Sequence, residues 1–238
     1  MLTGVTKFGK VSVFSDLNQL NDISMSKAYA AICGLTKQEL LDNFQPELQA
    51  LADECEQTFE ETVETMTQQY DGYHFTWPSP DIFNPYSLIN AFAKKRLGNF
   101  WFGSGTPTFL IEMMRKFNIV PTEIGEKSMR SSGFDAPAEH LTSIYPLLYQ
   151  SGYLTIKDGD RNMDFYTLDI PNNEIRVGLM SSLFPNYVQQ TAVVGETTVT
   201  RMYQLIRDEK MNEALIELQK YLLTVPYCRG AKSEGHYQ

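Results

Sequence analysis

Apolar residues recur at three- and four-residue steps through residues 84–117, and this spacing predicts two helices. Asn84 is an expected side-chain N-cap, and Pro85 suits the first helical position. Gly98 is expected just past the end of the first helix, and Thr106-Pro107 is expected to begin the second. The two apolar stripes are Leu88, Ile89, Phe92 and Leu97, then Phe109, Leu110, Met113, Met114 and Phe117.

A longer stripe predicts a single helix over residues 46–70, after a helix start at the capping box of Thr36 and Glu39. Its apolar members are Leu48, Leu51, Cys55, Phe59, Val63, Met66 and Tyr70. The opposite side carries Glu54, Glu56, Glu60, Glu61 and Glu64. This spacing fits a solvated helix face better than a pair of catalytic carboxylates.

The pattern changes after the second stripe. Residues 118–135 are predicted to connect two subdomains, and residues 137–152 form a predicted helix with a kink at Pro146. Strands are predicted at 153–156 and 165–170, followed by an amphipathic helix over 175–188. A helix, a strand, a long polar turn and a strand are typical of a winged helix.

Residues 197–223 predict a helical hairpin, with Met202, Leu205, Ile206, Ala214, Leu215, Leu218 and Leu222 facing inward. Short β-prone runs lie at 2–5 and 11–14. The predicted fold class is therefore mainly α with small β elements (α+β), a helical subdomain followed by a winged-helix subdomain.

Acidic residues are concentrated in one segment. The net charge is −9, and residues 38–93 contain eleven acidic side chains but no Lys or Arg. An acidic surface repels phosphate backbones, so we do not expect nucleic acid to bind through residues 38–93. Residues 157–176, around the predicted wing, have three basic and five acidic side chains. That balance also disfavours contact with DNA, and a structural or interdomain role is preferred.

Cys33, Cys55 and Cys228 are far apart, and the sequence has no CxxC motif or Cys/His cluster. Neither a zinc site nor a disulfide framework is indicated, and a reducing cytoplasm is the expected location. His74 is the only histidine in the first half of the chain, so no metal site is predicted around it. No apolar run is long enough to span a bilayer, and no membrane association is expected.

Phe100, Trp101 and Phe102 lie in a glycine-rich corner between the two helices of residues 84–117. Three adjacent aromatic side chains must be buried or must bind something, and a possible function is to dock a protein partner. Exposed rings would favour a standalone interaction module. A basic surface on residues 137–152 would instead favour a winged-helix DNA-binding protein.

Several separated motifs resemble the predicted AAA-ATPase-like family common in gut Bacteroidetes. In chain order they are LTGVTKFGKVSVFSDLNQLNDIS, NPYSLINAF, WFGSGTPTFLIEMM and LLYQSGYLTI. That family is similar to the archaeal-type STAND ATPases, which have a P-loop NTPase core, a helical lid, a winged helix and often a C-terminal PD-(D/E)XK nuclease domain. The resemblance extends over nearly the whole chain.

The resemblance implies a domain order. Residues 1–16 would be remaining strands of the ATPase core, 17–130 the helical lid, 131–192 the winged-helix domain, and 193–238 a helical hairpin leading to an absent C-terminal domain. LTGVTKF is typical of an internal strand, so a truncated chain is expected. The missing P-loop core and nuclease-like domain would then be its partners.

The resemblance also implies nucleotide-sensing residues. Thr3 or Thr6, with Lys7 nearby, would sense the γ-phosphate, and Pro85 would approach the base. The alternative for Thr3 and Thr6 is an ordinary strand end with exposed polar side chains. ATP and magnesium are cofactors of the full-length family. We expect neither in this chain, because the sequence contains no GxxxxGK[ST] phosphate loop.

We therefore predict the lid and winged-helix portion of an AAA-ATPase-like protein. It would couple nucleotide state to a C-terminal nuclease or interaction module, and it would have no catalytic residues of its own. The alternatives are the standalone protein-interaction module and the winged-helix DNA-binding protein.

Overall fold

The computed structural model describes residues 21–104, 108–119, 123–135, 143–188, 192–208 and 210–224. The fold is mainly α with one small antiparallel sheet, as predicted. The chain divides into two compact units, Met1–Gly178 and Leu179–Gln238. Thr3, Thr6 and Lys7 lie outside the described residues, as do the predicted strands around them.

The helices are α1 (Lys37–Asn43), α2 (Gln45–Glu54), α3 (Phe59–Tyr70), α4 (Pro85–Lys94), α5 (Thr108–Lys116), α6 (Tyr145–Gln150), α7 (Asn173–Val188), α8 (Ala192–Arg207) and α9 (Met211–Thr224). The strands are β1 (Lys127–Arg130), β2 (Thr155–Asp160) and β3 (Phe165–Asp169). Within the described residues, no helix is both long and apolar enough to cross a membrane.

The single helix predicted over residues 46–70 is wrong, because the chain breaks between α2 and α3. Glu56 takes a left-handed φ of 55° after α2 ends. Thr58 then begins α3 with a capping box, in which its hydroxyl accepts from the Glu61 amide and the Glu61 carboxylate accepts from the Thr58 amide. The predicted stripe is nevertheless mostly buried, since both helices pack in the same core.

Two predicted helix starts are confirmed. Thr36 and Glu39 form the capping box of α1, and the Asn84 side chain caps α4 ahead of Pro85. The predicted helix end at Gly98 is wrong, because α4 ends at Lys94 and Lys95 takes the left-handed conformation. Gly98 instead exchanges hydrogen bonds with the Tyr70 hydroxyl, which donates to its carbonyl at 2.9 Å and accepts from its amide at 3.0 Å.

The sheet contains a strand that the sequence pattern missed. β1 lies within residues 118–135, which were predicted to be a connection only. It pairs antiparallel with β3, so the strand order is β1-β3-β2 and β3 is central. The predicted kink at Pro146 is also wrong, since Pro146 occupies the first turn of α6 and the helix begins there. Residues 136–142 lie outside the described part of the chain.

The first unit has a helical core of fully buried side chains from α1 to α4, including Leu40, Leu51, Met66, Tyr70 and Leu88. Next to the sheet, Phe134 packs edge-on against two tyrosine rings. Its centroid lies 4.7 Å from that of Tyr149 and 5.8 Å from that of Tyr166. Phe134 thereby joins α6 to β3.

The second unit includes α8 and α9, which pack against each other after a short link, as the hairpin prediction expected. Ala214 and Tyr221 are buried. The prediction that Ile206 and Leu215 face inward is wrong, because their side chains are about half exposed, at 47% and 54%. Each follows a more buried residue by one position, which turns it away from the helix–helix contact.

Candidate functional site

Pro85 is the one predicted nucleotide-sensing residue that the structure describes. It occupies the first position of α4, and the Asn84 side chain accepts from the amides of Tyr86 at 3.0 Å and Ser87 at 3.5 Å. These two amides are therefore engaged by Asn84 and do not offer a phosphate-binding helix end. The described residues around Pro85 do not fit a phosphate group, and an approach of Pro85 to a base stays a prediction.

The aromatic corner, residues 98–104, is directed inward. Phe100 and Phe102 are only 8% and 9% exposed, and Trp101 is half-buried. Phe100 packs near Tyr70, whereas Trp101 and Phe102 both meet the Tyr153 ring, at centroid distances of 5.4 Å and 6.0 Å. Exposed rings would have favoured the docking hypothesis, but the contacts described for these rings are with residues of the first unit.

Glu174, in the first turn of α7, is hydrogen-bonded to this corner. Its side chain is fully buried, and one carboxylate oxygen accepts from the Ser87 hydroxyl of α4 at 2.6 Å. The other oxygen accepts from the Trp101 amide at 2.7 Å. Burial raises the pKa of Glu174, and the hydrogen bonds from Ser87 and from the backbone of the corner oppose that shift. One carboxylate thus joins α4, the corner and α7.

Gly178, also on α7, lies against the Phe102 ring of the corner. It lies four residues after Glu174, so the two residues share one face of α7. A Cβ atom at Gly178 would overlap the Phe102 ring. The carboxylate therefore binds the corner's amides, while the glycine leaves room for its ring.

A second set of contacts joins the turn at residues 71–76 to the sheet. The Lys157 ammonium on β2 donates to the Gly72 carbonyl at 2.6 Å and to the Pro171 carbonyl at 3.1 Å. Gly72 has a φ of +93°, and a Cβ atom there would overlap both Lys157 and the Pro171 carbonyl. Burial lowers the pKa of Lys157, which nearby acidic groups partly offset. Position 72 therefore needs glycine both for its positive φ and for the close approach of Lys157 and the Pro171 carbonyl.

Two further buried polar side chains hold the same turn. Asn172 donates to the Asp71 carbonyl at 3.0 Å and accepts from the Ile175 amide at 3.2 Å, so it binds the turn and the first turn of α7 together. The Thr155 hydroxyl, at the start of β2, accepts from the His74 amide at 2.7 Å and lies 2.9 Å from the His74 carbonyl. Residues 71–74 are thus bonded to both β2 and α7.

The His74 ring lies in a local serine–histidine–aspartate arrangement. Its Nε2 is 2.8 Å from Asp81 Oδ1, and its Nδ1 is 3.0 Å from the Ser79 hydroxyl, which is also 2.9 Å from the Thr76 carbonyl. Burial lowers the pKa of His74, and the Asp81 carboxylate opposes the shift. Asp81 is 59% exposed, whereas a catalytic histidine is usually oriented by a buried carboxylate. We interpret the arrangement as one that fixes the turn.

Across the described part of the chain, no group of three or more His, Cys, Asp or Glu side chains could hold a metal ion. From the sequence, Glu174 and Lys157 were considered only for their contribution to the charge near the predicted wing. The local signal for the site was the four-residue spacing of Glu174 and Gly178, which places a carboxylate and a residue without a side chain on one helix face.

Comparisons with known proteins give one informative relative. No family model matches the chain, and no solved structure matches it. A protein of Azotobacter chroococcum mcd 1, described as an uncharacterized protein in the vnfD 5' region, is 34% identical over 211 residues. The match covers 87% of this chain and 38% of the relative, so the chain spans less than half of that protein's length.

We predict that Gly178→Ala destabilises the first unit by about 1–2 kcal/mol in urea unfolding. In an exposed helix interior the same change would stabilise by about 1 kcal/mol, so the sign is diagnostic. The expected loss comes from overlap of the new methyl group with the Phe102 ring. Ser181→Ala, at an exposed position of the same helix, is the control and should be nearly neutral. A Gly178→Ala protein more stable than the wild type would contradict this packing.

We predict that Asp71→Asn stabilises the protein at pH 7.5. Burial is the main cause that raises the pKa of Asp71 from 3.8 to about 6. Between about pH 4 and pH 6, Asp71 is therefore protonated in the folded state and ionised in the unfolded state. Stability should fall as the pH rises through that window, and the full cost of burying the charge is present above it. Asparagine removes that cost, and its side-chain oxygen can still accept from the Gly72 amide as Asp71 does.

The expected gain is about 1–3 kcal/mol at pH 7.5 and nearly zero at pH 4. It is measured by thermal or urea unfolding at both pH values. Asp53→Asn, on the exposed face of α2, is the matched control, because it makes the same change where the side chain is not buried. An Asp71→Asn protein that is less stable than the wild type at pH 7.5 would contradict the prediction.

Proposed function

We propose that this chain is the lid and winged-helix portion of an AAA-ATPase-like protein. It transmits nucleotide-dependent movement to a C-terminal nuclease or interaction module, and it does not hydrolyse ATP by itself. The motifs NPYSLINAF, WFGSGTPTFLIEMM and LLYQSGYLTI support the family assignment. The greater length of the Azotobacter relative is compatible with further domains in the whole protein.

The observation that supports the proposal is the direct hydrogen bonding of residues 71–101, in the proposed lid, to residues 172–174, in the proposed winged helix. Glu174 binds Ser87 and the Trp101 amide from the lid side, and Asn172 binds the Asp71 carbonyl. Rigid, hydrogen-bonded contacts of this kind let a displacement of one segment displace the other. In this proposal α4 is the input element and α7 the output element.

The two alternatives have weaker support. A standalone interaction module would dock through Phe100, Trp101 and Phe102, yet two of these rings are buried. A DNA-binding winged helix needs basic side chains on its recognition helix. Among the described residues 143–152, which include α6, there is no Lys or Arg. The acidic balance of residues 157–176 also disfavours contact with phosphates.

Transmission from α4 to α7 is tested by hydrogen–deuterium exchange on Ser87→Ala. Removing the hydroxyl leaves the buried Glu174 carboxylate without one of its donors. We expect faster exchange at amides of residues 173–180, although the substitution is on a different helix. The matched control is Ile89→Ala, because Ile89 lies on the same helix and is largely exposed. It should leave exchange at residues 173–180 unchanged.

Equal exchange of α7 in wild type and Ser87→Ala would contradict the transmission. On the same wild-type sample, calorimetric titration of magnesium–ATP should give no binding heat, since the sequence lacks a phosphate loop. Micromolar binding would contradict the assignment of this chain to the non-catalytic portion.

A further inference from the structure

Residues 74–81 form a loop that is closed at its base and bonded to β2 at one end. Tyr73 and Ile82 close the base by exchanging two backbone hydrogen bonds, each of 3.2 Å. The His74 amide then donates to the Thr155 hydroxyl of β2 at 2.7 Å. Only 5% of the His74 side chain is exposed. We call residues 74–81 the histidine loop, which has a buried titratable ring where it meets β2.

The Ser79 hydroxyl has one proton and two neighbours to which it could donate. The Thr76 carbonyl, at 2.9 Å, can only accept. The Nδ1 atom of His74, at 3.0 Å, accepts when it lacks a proton and donates when it carries one. The Asp81 carboxylate lies 2.8 Å from Nε2 and keeps a proton there in both states of the ring.

The protonation state of the ring therefore sets the direction of the Ser79 hydroxyl. With a neutral ring, Ser79 donates to Nδ1, and the Thr76 carbonyl is left without this donor. With a protonated ring, Nδ1 donates to Ser79, whose own proton turns to the Thr76 carbonyl. The loop thus gains one internal hydrogen bond when His74 takes up a proton.

The surroundings of the ring on the β2 side act against the proton. Within the loop, the Asp81 carboxylate attracts a positive charge on His74. The burial of the ring and the Lys157 ammonium of β2 both oppose that charge. Asp71 and Asp169 also face Lys157 and partly offset its charge. A proton on His74 is therefore favourable within the loop and unfavourable where the loop meets β2.

We propose that the histidine loop is a pH-sensitive switch, in which a proton on His74 turns the Ser79 hydroxyl to the Thr76 carbonyl and releases the loop from β2. The released loop keeps its bonds to Asp81 and Ser79, because both belong to it. Its ring gains water and moves away from the Lys157 ammonium. The switch is a property of the loop and does not rest on the proposed function.

The direction of the pH dependence follows from the two environments of the ring. Burial is the main cause that lowers the pKa of His74 from its ordinary value of 6.5. The attached loop therefore holds this proton less tightly than the released loop, whose ring is in water. Attachment is complete above about pH 6.5 and weakens as the pH falls below it. Between pH 7.5 and pH 5.5, this linkage can favour release by at most about tenfold.

Hydrogen exchange of the residue-74 amide, corrected for the intrinsic effect of pH, tests the release. His74→Gln cannot take up the proton, whereas Asp71 titrates in both proteins, so their difference isolates His74. We expect opening at pH 5.5 relative to pH 7.5 to be about three- to tenfold greater in the wild type than in His74→Gln. An equal pH response of the two proteins would overturn the switch.

The same exchange data show whether the loop opens by itself. In the wild type, the His74 amide should be less protected than the amide of Leu51, which is fully buried in the helical core. Equal protection at both pH values would mean that the loop opens only when the whole unit unfolds. That result would also overturn the switch.

Ser79→Ala tests the role of the hydroxyl separately. It removes the acceptor of the protonated ring, and hydrogen bonds to charged groups are the stronger ones. We therefore expect a lower pKa of His74 than in the wild type, measured by NMR titration of the ring signal that His74→Gln removes. Ser181→Ala, at an exposed position of α7, is the control and should leave this pKa unchanged. An unchanged or raised pKa in Ser79→Ala would contradict the hydroxyl's part in the switch.

Discussion

Glu174 places a carboxylate in the interior of the first unit without any exposure to water. Burying an ionised carboxylate costs several kcal/mol unless hydrogen bonds replace its hydration. Here the replacement comes from the Ser87 hydroxyl and from the backbone of the aromatic corner. Since its donors come from α4 and from the corner, the carboxylate is satisfied only when α4, the corner and α7 are all in place. The arrangement of the three elements therefore depends on this one group.

The contacts of the turn at residues 71–76 follow the same logic. Lys157 and Asn172 use side-chain donors to satisfy backbone carbonyls that would otherwise be buried without partners. Together with Glu174, they join the helical segment to the sheet and to residues 173–178 of α7, all of which belong to the first unit. Such a connection suits a domain that transmits movement, because the helical segment cannot shift relative to the sheet and the start of α7 without breaking buried hydrogen bonds. This is the physical basis of the proposed coupling function.

The sequence was informative where structure is set by neighbouring residues. Asn84 and the Thr36–Glu39 pair identified two helix starts correctly, because capping depends on residues two or three positions apart. The same signal was present at Thr58 and Glu61, but the continuous apolar stripe concealed the break between α2 and α3. β1 was missed because its four residues include only one apolar side chain, Met129. The sheet supplies its partner from residues 165–168.

The candidate site could not be predicted in the same way. Glu174 meets Ser87 and Trp101 across separations of 87 and 73 residues, and no local spacing encodes those contacts. As a sequence feature Glu174 was one acidic residue among several near the wing. The aromatic corner was recognised as a group that must be buried or must bind something, but the choice between these depended on α7, which supplies both Glu174 and the space at Gly178.

The most direct test of the account is a double-mutant cycle between Ser87→Ala and Glu174→Gln, with unfolding free energies measured in urea. If the buried carboxylate joins α4 to α7, the two changes should be non-additive, with a coupling energy of about 1–3 kcal/mol. Additive effects, within about 0.3–0.5 kcal/mol, would mean that the two residues act independently. That result would contradict the claim that Glu174 holds these elements together.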